Sequence, residues 1–280
     1  RRGVVVRELP VDENGVLQPE TLRGALTQRT ALVAFGYVNS EVGTIQPVRA
    51  LARTIRAFTR ERNARVPIHL DAAQAPWWVS CSLNRLDVDM LALDAGKCGG
   101  PKGVGVLAVR ERELLTPISF GGGQEWGLRP GTENVVGIVG AGAAFAEALA
   151  TVETRATAVA AVRDAALARL PELVPSAVLN GPVGAMRVAN NVNISLPGLD
   201  TEYLVVWLDS RGIAASTRSA CAGAGGGEST VVRALSGDAA RARATLRLTL
   251  GPDTTTAELE ETFSQIAEFT KLQARAPAVF

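Results

Sequence analysis

Two stretches of the chain, VPIHLDAAQ from Val66 to Gln74 and VDMLALDAGK from Val88 to Lys97, share one pattern: a short, mostly apolar run ends at an aspartate. Runs of this length are typical of buried strands. Helical spacing of apolar residues over Pro47–Arg60 precedes them, and similar apolar runs lie at Ala31–Phe35 and Gly105–Val109. Strands that alternate with helices at this spacing predict an α/β fold with a mostly parallel sheet, whose functional groups collect at the strand ends.

The second half of the chain has a different order of elements. Long alanine-rich helical patterns over residues 134–150 and 152–170 are followed by strand-like segments at Asn190–Leu196 and Thr245–Leu250, with a further strand ending at Ser216. An amphipathic helix over Thr256–Leu272 closes the chain. We therefore predict a large α/β domain over residues 1–152 and a smaller C-terminal α+β domain over residues 153–280.

Composition and charge argue against several classes of protein. The 280 residues are 47% hydrophobic and carry a net charge of +1, so neither a nucleic acid nor a membrane surface is an expected partner. No unbroken apolar run is long enough to span a membrane. Three cysteines without a C-x-x-C pair and a single histidine argue against a disulfide framework and a metal site, and they fit a reducing cytoplasm.

Lysine is rare in this chain, which contains Lys97, Lys102 and Lys271 and no others. Lys97 follows an apolar strand and opens a glycine-rich turn, where partial desolvation would lower the pKa of its amine and suit it to Schiff-base chemistry. The alternative is an ordinary surface lysine on a turn. The segment lacks the phosphate-loop pattern G-x-x-x-x-G-K-[ST], which disfavours a nucleotide-binding protein.

Asp71 lies where a cofactor with a basic ring nitrogen would need a carboxylate. A pyridoxal ring withdraws electrons only while its ring nitrogen is protonated, and a fixed acid at a strand end can keep it so. Gln74 could hydrogen-bond the ring oxygen. His69 is on the same strand face and is interpreted as a core histidine, and the alternative for Asp71 is a helix N-cap.

Cys221 opens the glycine-rich segment Ala222–Gly227, which predicts an exposed and mobile thiol, and Arg218 lies three residues before it. A nearby cation favours the reactive thiolate, although an incidental loop cysteine is the alternative. Arg247 stands alone in an apolar strand and therefore needs a partner. A substrate carboxylate and an internal salt bridge are equally suitable partners for its guanidinium.

Six segments resemble the class V aminotransferase superfamily, and within it the cysteine desulfurases of the NifS/IscS type. They follow the family's order along nearly the whole chain: Val38–Pro47 (N-N-E-x-G-x-x-x-P), Asp71–Gln74 (D-A-x-Q), Lys97–Gly103 (K-x-x-G-P-K-G), Gly121–Glu125 (G-G-G-Q-E), Arg129–Asn134 (R-x-G-T-x-N) and Ser219–Cys221 (S-A-C). Six matches in one order are far more specific than any single match.

The resemblance implies a pyridoxal 5'-phosphate (PLP) enzyme of fold type I, with an incomplete large α/β/α domain and a smaller C-terminal α+β domain. Such an enzyme works as a homodimer, converts L-cysteine to L-alanine and forms a persulfide. The sulfur then passes to an acceptor protein, either an iron–sulfur scaffold or a tRNA-thiolation protein.

The resemblance also implies a role for each matching residue. Lys97 would bind the cofactor and move the α-proton, and Cys221 would accept the sulfur. Arg247 would receive the substrate carboxylate. The remaining cofactor contacts would come from Asp71, Gln74, Ser40 and Thr132, of which Thr132 would reach the cofactor phosphate in the partner subunit.

Several positions depart from the family pattern. Asp94 and Gly96 stand where the family has serine and histidine, and a carboxylate at Asp94 would repel a cofactor phosphate unless it points away. Ser40 replaces the usual asparagine and has a shorter reach. The family's segment upstream of Arg1, which supplies part of the phosphate cradle and a stacking histidine, is expected to be missing.

Two other functions are compatible with these residues. The first is a selenocysteine lyase, or another lyase or aminotransferase of class V. The second is a degenerate, non-catalytic relative that acts as a binding or dimerisation partner, which Asp94, Gly96 and the expected N-terminal loss would favour.

Overall fold

The computed structural model describes residues 3–217 and 227–275, which contain eight α-helices and seven β-strands. The helices are α1 (Pro19–Ala25), α2 (Val48–Arg62), α3 (Leu83–Leu86), α4 (Val135–Leu173), α5 (Thr201–Asp209), α6 (Thr230–Ser236), α7 (Ala239–Arg243) and α8 (Thr256–Arg275). The strands are β1 (Val33–Gly36), β2 (Ile68–Asp71), β3 (Met90–Asp94), β4 (Gly105–Val109), β5 (Val178–Leu179), β6 (Asn191–Ser195) and β7 (Thr245–Thr249).

The chain divides into two compact units. The α/β unit consists of Pro19–Val38 and Pro47–Glu153, and the α+β unit consists of Arg1–Gln18, Asn39–Gln46 and Thr154–Phe280. Two segments from the first fifty residues therefore group with the C-terminal part of the chain.

The α/β unit contains a four-stranded mixed sheet in the order β1-β2-β3-β4. The strands β1, β2 and β3 are parallel, and β4 is antiparallel to β3. Along β2 the fully buried Ile68 and Leu70 alternate with His69 and Asp71, as expected for a strand with one better covered face. The predicted α/β class with a mostly parallel sheet is confirmed.

Helix α2 forms where the apolar spacing predicts it. Its buried positions include Val48, Leu51, Ile55 and Phe58, which recur three or four residues apart along one face. Each such side chain contributes about 1.5–3 kcal/mol when it is fully buried. The helix ends where Asn63 adopts a left-handed conformation with φ 47°.

The two strands that carry the singled-out aspartates end at the same edge of the sheet. Asp71 ends β2 and lies opposite Ala92 of β3, and Asp94 ends β3 two residues later. The Ala72 amide donates to the Ala92 carbonyl over 2.9 Å, which holds the chain after β2 against β3. The carboxyl ends of parallel strands are where α/β proteins commonly bind ligands.

Helix α4 is a single helix of 39 residues, where the sequence suggested two consecutive helical stretches. By length and composition it could cross a membrane, and 22% of its most apolar stretch is buried. Helices of soluble proteins meet the same test. One such helix is therefore weak evidence for a membrane location.

The α+β unit contains an antiparallel sheet in the order β5-β6-β7. Apolar and polar residues alternate along β6 and β7, and both faces of these strands are largely buried. Helices α5 and α8 contact each other, with the Trp207 and Phe269 ring centroids 5.7 Å apart. The strand predicted to end at Ser216 is reduced to one antiparallel bridge between Ser216 and Arg247.

Candidate active site

Lys97 lies in a short 3-10 turn, Ala95–Cys98, directly after β3. The Gly96 amide donates to Asp94 Oδ1 over 2.9 Å, which starts the turn, and Gly99 ends it with φ 77°. This left-handed conformation favours glycine. The Lys97 side chain is 42% exposed, and its Nζ lies 3.9 Å from Asp94 Oδ2. Lys97 is therefore more exposed than the sequence predicted, and burial does not desolvate its amine in this chain.

Asp71 is exposed at the end of β2, and its Oδ1 accepts a hydrogen bond from the Ala73 amide over 2.9 Å. The bond fixes the start of the turn that carries the half-buried Gln74. The Tyr37 amide donates to the Asp71 carbonyl over 2.7 Å and ties the end of β1 to the same edge. The carboxylate of Asp71, the amide of Gln74 and the amine of Lys97 thus lie at the ends of the neighbouring parallel strands β2 and β3.

Thr132 lies in an exposed connection that precedes α4. The Gly131 amide donates to Gln124 Oε1 over 3.3 Å, which links two of the glycine-rich segments singled out in the sequence. Ile118, Phe120 and Trp126 in this region are 97%, 85% and 79% exposed. Thr132 is therefore exposed, in a part of the chain that also exposes large apolar side chains.

Arg247 and Ser40 are brought together within the α+β unit. Arg247 Nη1 donates to the Ser40 carbonyl over 3.1 Å. Its Nε is buried and, among the described residues, has no hydrogen-bond partner. Burial lowers the pKa of Arg247 from its ordinary value, and the negative charge of Glu41 opposes this shift. A buried donor without a partner suits an incoming carboxylate.

Glu41 is the residue that sequence reasoning missed. Its side chain is buried, and Ser229 Oγ donates to its Oε2 over 2.6 Å. The side-chain amides of Asn191 and Asn193 donate to its carbonyl over 2.8 and 3.0 Å. The available signal was the regular spacing of asparagines along β6, which puts two polar side chains on one strand face.

Cys221 and the predicted mobile loop around it, together with Arg218, lie outside the described residues. The other two cysteines are poor nucleophiles. Burial, with a smaller contribution from Cys98, raises the pKa of Cys81 to about 12. Cys98 is itself buried, with 3% of its surface exposed. Reactive cysteines need an accessible thiolate, which neither residue offers.

Comparison with known proteins identifies the family. The family model described as aminotransferase class-V matches residues 1–262. The chain belongs to the class-V aminotransferase family. The class-V aminotransferase match thus includes the α/β unit, which contains Lys97 and Asp71, and most of the α+β unit, which contains Arg247.

Similar proteins of this family are named cysteine desulfurases. The chain is 35% identical over 261 residues to cysteine desulfurase IscS of Clostridium botulinum strain Hall, a match that covers 93% of this chain and 64% of that protein. It is 35% identical over 264 residues to cysteine desulfurase NifS of Azotobacter vinelandii, covering 94% of this chain and 64% of that protein. The chain thus spans about 64% of the length of these curated relatives.

Solved structures of the family agree with the fold. A structure described as a NifS-like protein superposes with a TM-score of 0.85 at 32% identity, covering 97% of this chain and 69% of that one. The structure of DndA from Streptomyces lividans superposes with a TM-score of 0.71 at 32% identity, covering 89% of this chain and 68% of that one. The predicted fold type I architecture is confirmed.

PLP is the cofactor of this family, and the donors at the edge of the sheet fit it. Lys97 offers an exposed amine after β3, and Asp71 offers an exposed carboxylate at the end of the adjacent β2. These are the two groups that a pyridoxal ring requires. Asp94 fits less well, because its carboxylate lies beside the Lys97 amine.

Proposed function

We propose that this class-V aminotransferase is a PLP-dependent cysteine desulfurase, which converts L-cysteine to L-alanine and forms a persulfide on Cys221. The observation that carries the proposal is the arrangement of Asp71 and Lys97 after neighbouring parallel strands at one edge of the sheet. The names of the relatives, IscS and NifS cysteine desulfurases, support the choice of substrate.

The cofactor-binding roles are divided among residues at the strand ends. Lys97 would hold PLP through its Nζ and carry the α-proton of the substrate. Asp71 would keep the ring nitrogen protonated, and Gln74 would hydrogen-bond the ring oxygen. When bound, PLP withdraws electrons from the substrate α-carbon. Ser40 and Thr132 are further proposed contacts of the cofactor.

The sulfur transfer needs a thiolate on the enzyme. The Cys221 sulfur would attack the substrate sulfur, so that a sulfur–sulfur bond forms and the carbon–sulfur bond breaks with its electrons left on carbon. Protonation of that carbon gives alanine, and Cys221 keeps the persulfide. A thiolate suits this step because it is a strong nucleophile toward sulfur at neutral pH.

Arg247 would bind the substrate carboxylate. Its buried Nε has no partner among the described residues, and its Nη1 is already fixed by the Ser40 carbonyl. A guanidinium held in place by a backbone carbonyl and left with an unused donor can orient a carboxylate, which is the geometric part of catalysis.

A homodimer is part of the proposal. The α/β unit exposes large apolar side chains on two neighbouring stretches of sequence, at Ile118, Phe120 and Trp126 and on α4 at Val136 and Val139. Apolar surface of this kind commonly marks a protein interface. We also propose a cytoplasmic location and transfer of sulfur to an iron–sulfur scaffold or a tRNA-thiolation protein.

The test is alanine formation from L-cysteine by the purified chain supplied with PLP and a thiol reductant. We expect activity in the parent chain and in Lys271→Ala, a matched control on the surface of α8. Lys97→Ala is expected to lose both the visible absorbance of the lysine-bound cofactor and the alanine product. Cys221→Ser is expected to keep the absorbance and lose sulfur transfer. Desulfurase activity retained in Cys221→Ser contradicts the proposed sulfur role.

The non-catalytic alternative is favoured by one observation, the position of Asp94 beside Lys97. It predicts that the purified chain stays colourless with excess PLP and produces no alanine. Turnover of selenocysteine, measured beside turnover of cysteine, separates a desulfurase from a selenocysteine lyase.

A further inference from the structure

The polar side chains of β6 and β7 hold the backbone carbonyls of Ser40 and Glu41. Asn193 lies opposite Arg247 in the strand register, so their side chains leave the same face of the sheet. Asn193 Nδ2 donates to the Glu41 carbonyl over 3.0 Å, and Arg247 Nη1 donates to the Ser40 carbonyl over 3.1 Å. Asn193 and Arg247 thus bind two consecutive backbone carbonyls. These hydrogen bonds fix the backbone of Glu41 relative to Arg247.

The Glu41 carboxylate is itself held in one place. Its side chain is 6% exposed, and Ser229 Oγ donates to Oε2 over 2.6 Å. Ser229 is also buried, and its Oγ accepts a hydrogen bond from the Val232 amide over 3.0 Å at the start of α6. The hydroxyl therefore uses its single hydrogen toward Glu41. The result is a fixed negative charge that water screens little.

Arg247 is influenced by the Glu41 charge and also has a hydrogen-bond donor that is not used. The negative charge of Glu41 opposes the lowering of the Arg247 pKa by burial. The buried Nε of Arg247 has no hydrogen-bond partner among the described residues. An anion that reaches Arg247 therefore meets both an attractive guanidinium and a repulsive carboxylate. The strength of carboxylate binding is the difference between these two interactions.

We propose that Glu41 is a positioning residue that acts through Arg247 and weakens its hold on carboxylates. The inference rests on the proposed function, in which Arg247 binds the carboxylate of the substrate amino acid. Substrate and product carry the same carboxylate, so Glu41 lowers the affinity for both. A moderate affinity allows alanine to leave after each turnover. The weaker binding does not slow the chemistry, because binding energy that is equal for all bound states does not accelerate it.

The experiment measures binding of 3-mercaptopropionate, which has the thiol and carboxylate of cysteine but no amino group. Without an amine it cannot form a Schiff base with PLP, so it is not turned over and its dissociation constant reports binding of the carboxylate and thiol alone. Ligand-observed NMR titration is carried out on the 280-residue chain at low and high salt. The variants are Glu41→Gln, Ser229→Ala and Arg247→Gln.

Glu41→Gln keeps an oxygen that accepts from Ser229 but removes the charge. We expect it to bind the ligand about three- to tenfold more tightly than the parent at low salt, as for the removal of one like charge near a partly buried site. Most of the gain should persist at high salt, because salt screens a buried charge little. Ser229→Ala removes the hydrogen bond and keeps the charge, so it should not bind more tightly. Arg247→Gln should abolish binding.

Each other result has a defined meaning. Unchanged or weaker binding in Glu41→Gln, with binding lost in Arg247→Gln, overturns the role of Glu41 and leaves the carboxylate-binding role of Arg247 intact. Tighter binding in Ser229→Ala also overturns it, because charge is then not the cause. Binding that persists in Arg247→Gln overturns both roles. If Glu41→Gln does not fold, Glu41→Asp retains the charge, and tighter binding by that variant contradicts the inference.

Discussion

Asp94 Oδ2 lies 3.9 Å from Lys97 Nζ, and Oδ1 of the same carboxylate accepts a hydrogen bond from the Gly96 amide. One side chain therefore both starts the turn that carries Lys97 and gives its amine a negative neighbour. The sequence resemblance places a serine at this position in the family. Asp94 should therefore oppose PLP binding in two ways, since it engages the reacting amine and repels a phosphate dianion.

We predict that Asp94→Ser binds PLP about three- to fivefold more tightly than the parent chain, because an exposed ion pair is worth at most about 1 kcal/mol. A serine hydroxyl can still accept from the Gly96 amide, so the turn should be preserved. The PLP dissociation constant is measured from the absorbance of the lysine-bound cofactor. Asp253→Ser, in an exposed loop, is the matched control. Equal affinity in Asp94→Ser and the parent contradicts the prediction.

Cys81 provides a prediction about reactivity. Its pKa is raised from 9.0 to about 12 by burial and by Cys98, so only a small thiolate fraction remains at pH 8. In a Cys221→Ser background, we expect iodoacetamide to alkylate Cys81 at least about a hundredfold more slowly in the folded protein than in urea, because the raised pKa leaves much less thiolate. Mass spectrometry of digested samples gives the rates. Similar rates in buffer and urea would show that the thiol is not buried.

The sequence predicted the α/β unit well because its signals are local. Apolar runs gave β2, β3 and β4 to within two residues, and helical spacing gave α2. The aspartates at the ends of β2 and β3 could be placed at one edge because parallel strands share their direction. The exposure of Lys97 could not be predicted, since burial depends on residues distant in sequence.

Glu41 was harder to recognise for the same reason. Its partners Asn191, Asn193 and Ser229 are between 150 and 188 residues away in sequence. Alternating polar residues along β6 are typical of a strand with one solvated face, yet Asn193 is fully buried. The buried polar face makes sense only once residues 39–46 are known to group with the α+β unit. The local pattern of asparagines therefore does not reveal which distant residue they bind.

Asp89 provides a stability prediction for the α/β unit. It is 8% exposed, accepts from the Ile68 amide over 2.7 Å and accepts from Arg56 Nη2 over 2.9 Å. We expect Asp89→Ala to lower the free energy of unfolding by about 2–4 kcal/mol, because it leaves a buried amide and a cation without their acceptor. Urea unfolding followed by circular dichroism measures the loss.

Asp87 supplies the control for Asp89, since it approaches the same arginine. Its side chain is 52% exposed and lies 3.6 Å from Arg56 Nε. Asp87→Asn should lower the free energy of unfolding by less than about 1 kcal/mol, as is usual for an exposed ion pair, because asparagine also tolerates the left-handed backbone at this position (φ 56°). Comparable losses in Asp87→Asn and Asp89→Ala would mean that burial of the Asp89 carboxylate is not the cause.

Helix α8 provides a prediction about pH. The Thr255 amide and hydroxyl donate to Glu258 Oε2 over 2.7 and 2.9 Å, and the Glu258 amide donates back to Thr255 Oγ1 over 3.2 Å. This reciprocal cap lowers the pKa of Glu258 below its ordinary value of 4.5, chiefly through the hydrogen bond from the Thr255 amide. A carboxylate with a lowered pKa stabilises the folded state above its unfolded pKa, and that contribution is lost as the pH falls through the folded pKa.

We therefore expect Glu258→Gln to be less stable than the parent at pH 7 and the difference to shrink as the pH falls below 4.5. Urea unfolding at pH 7 and at several acidic pH values gives the two stability curves. Glu268→Gln, at an exposed position near the other end of α8, should differ little from the parent at any of these values. A difference between Glu258→Gln and the parent that grows toward acid pH would have the wrong sign for a carboxylate stabilised by the cap.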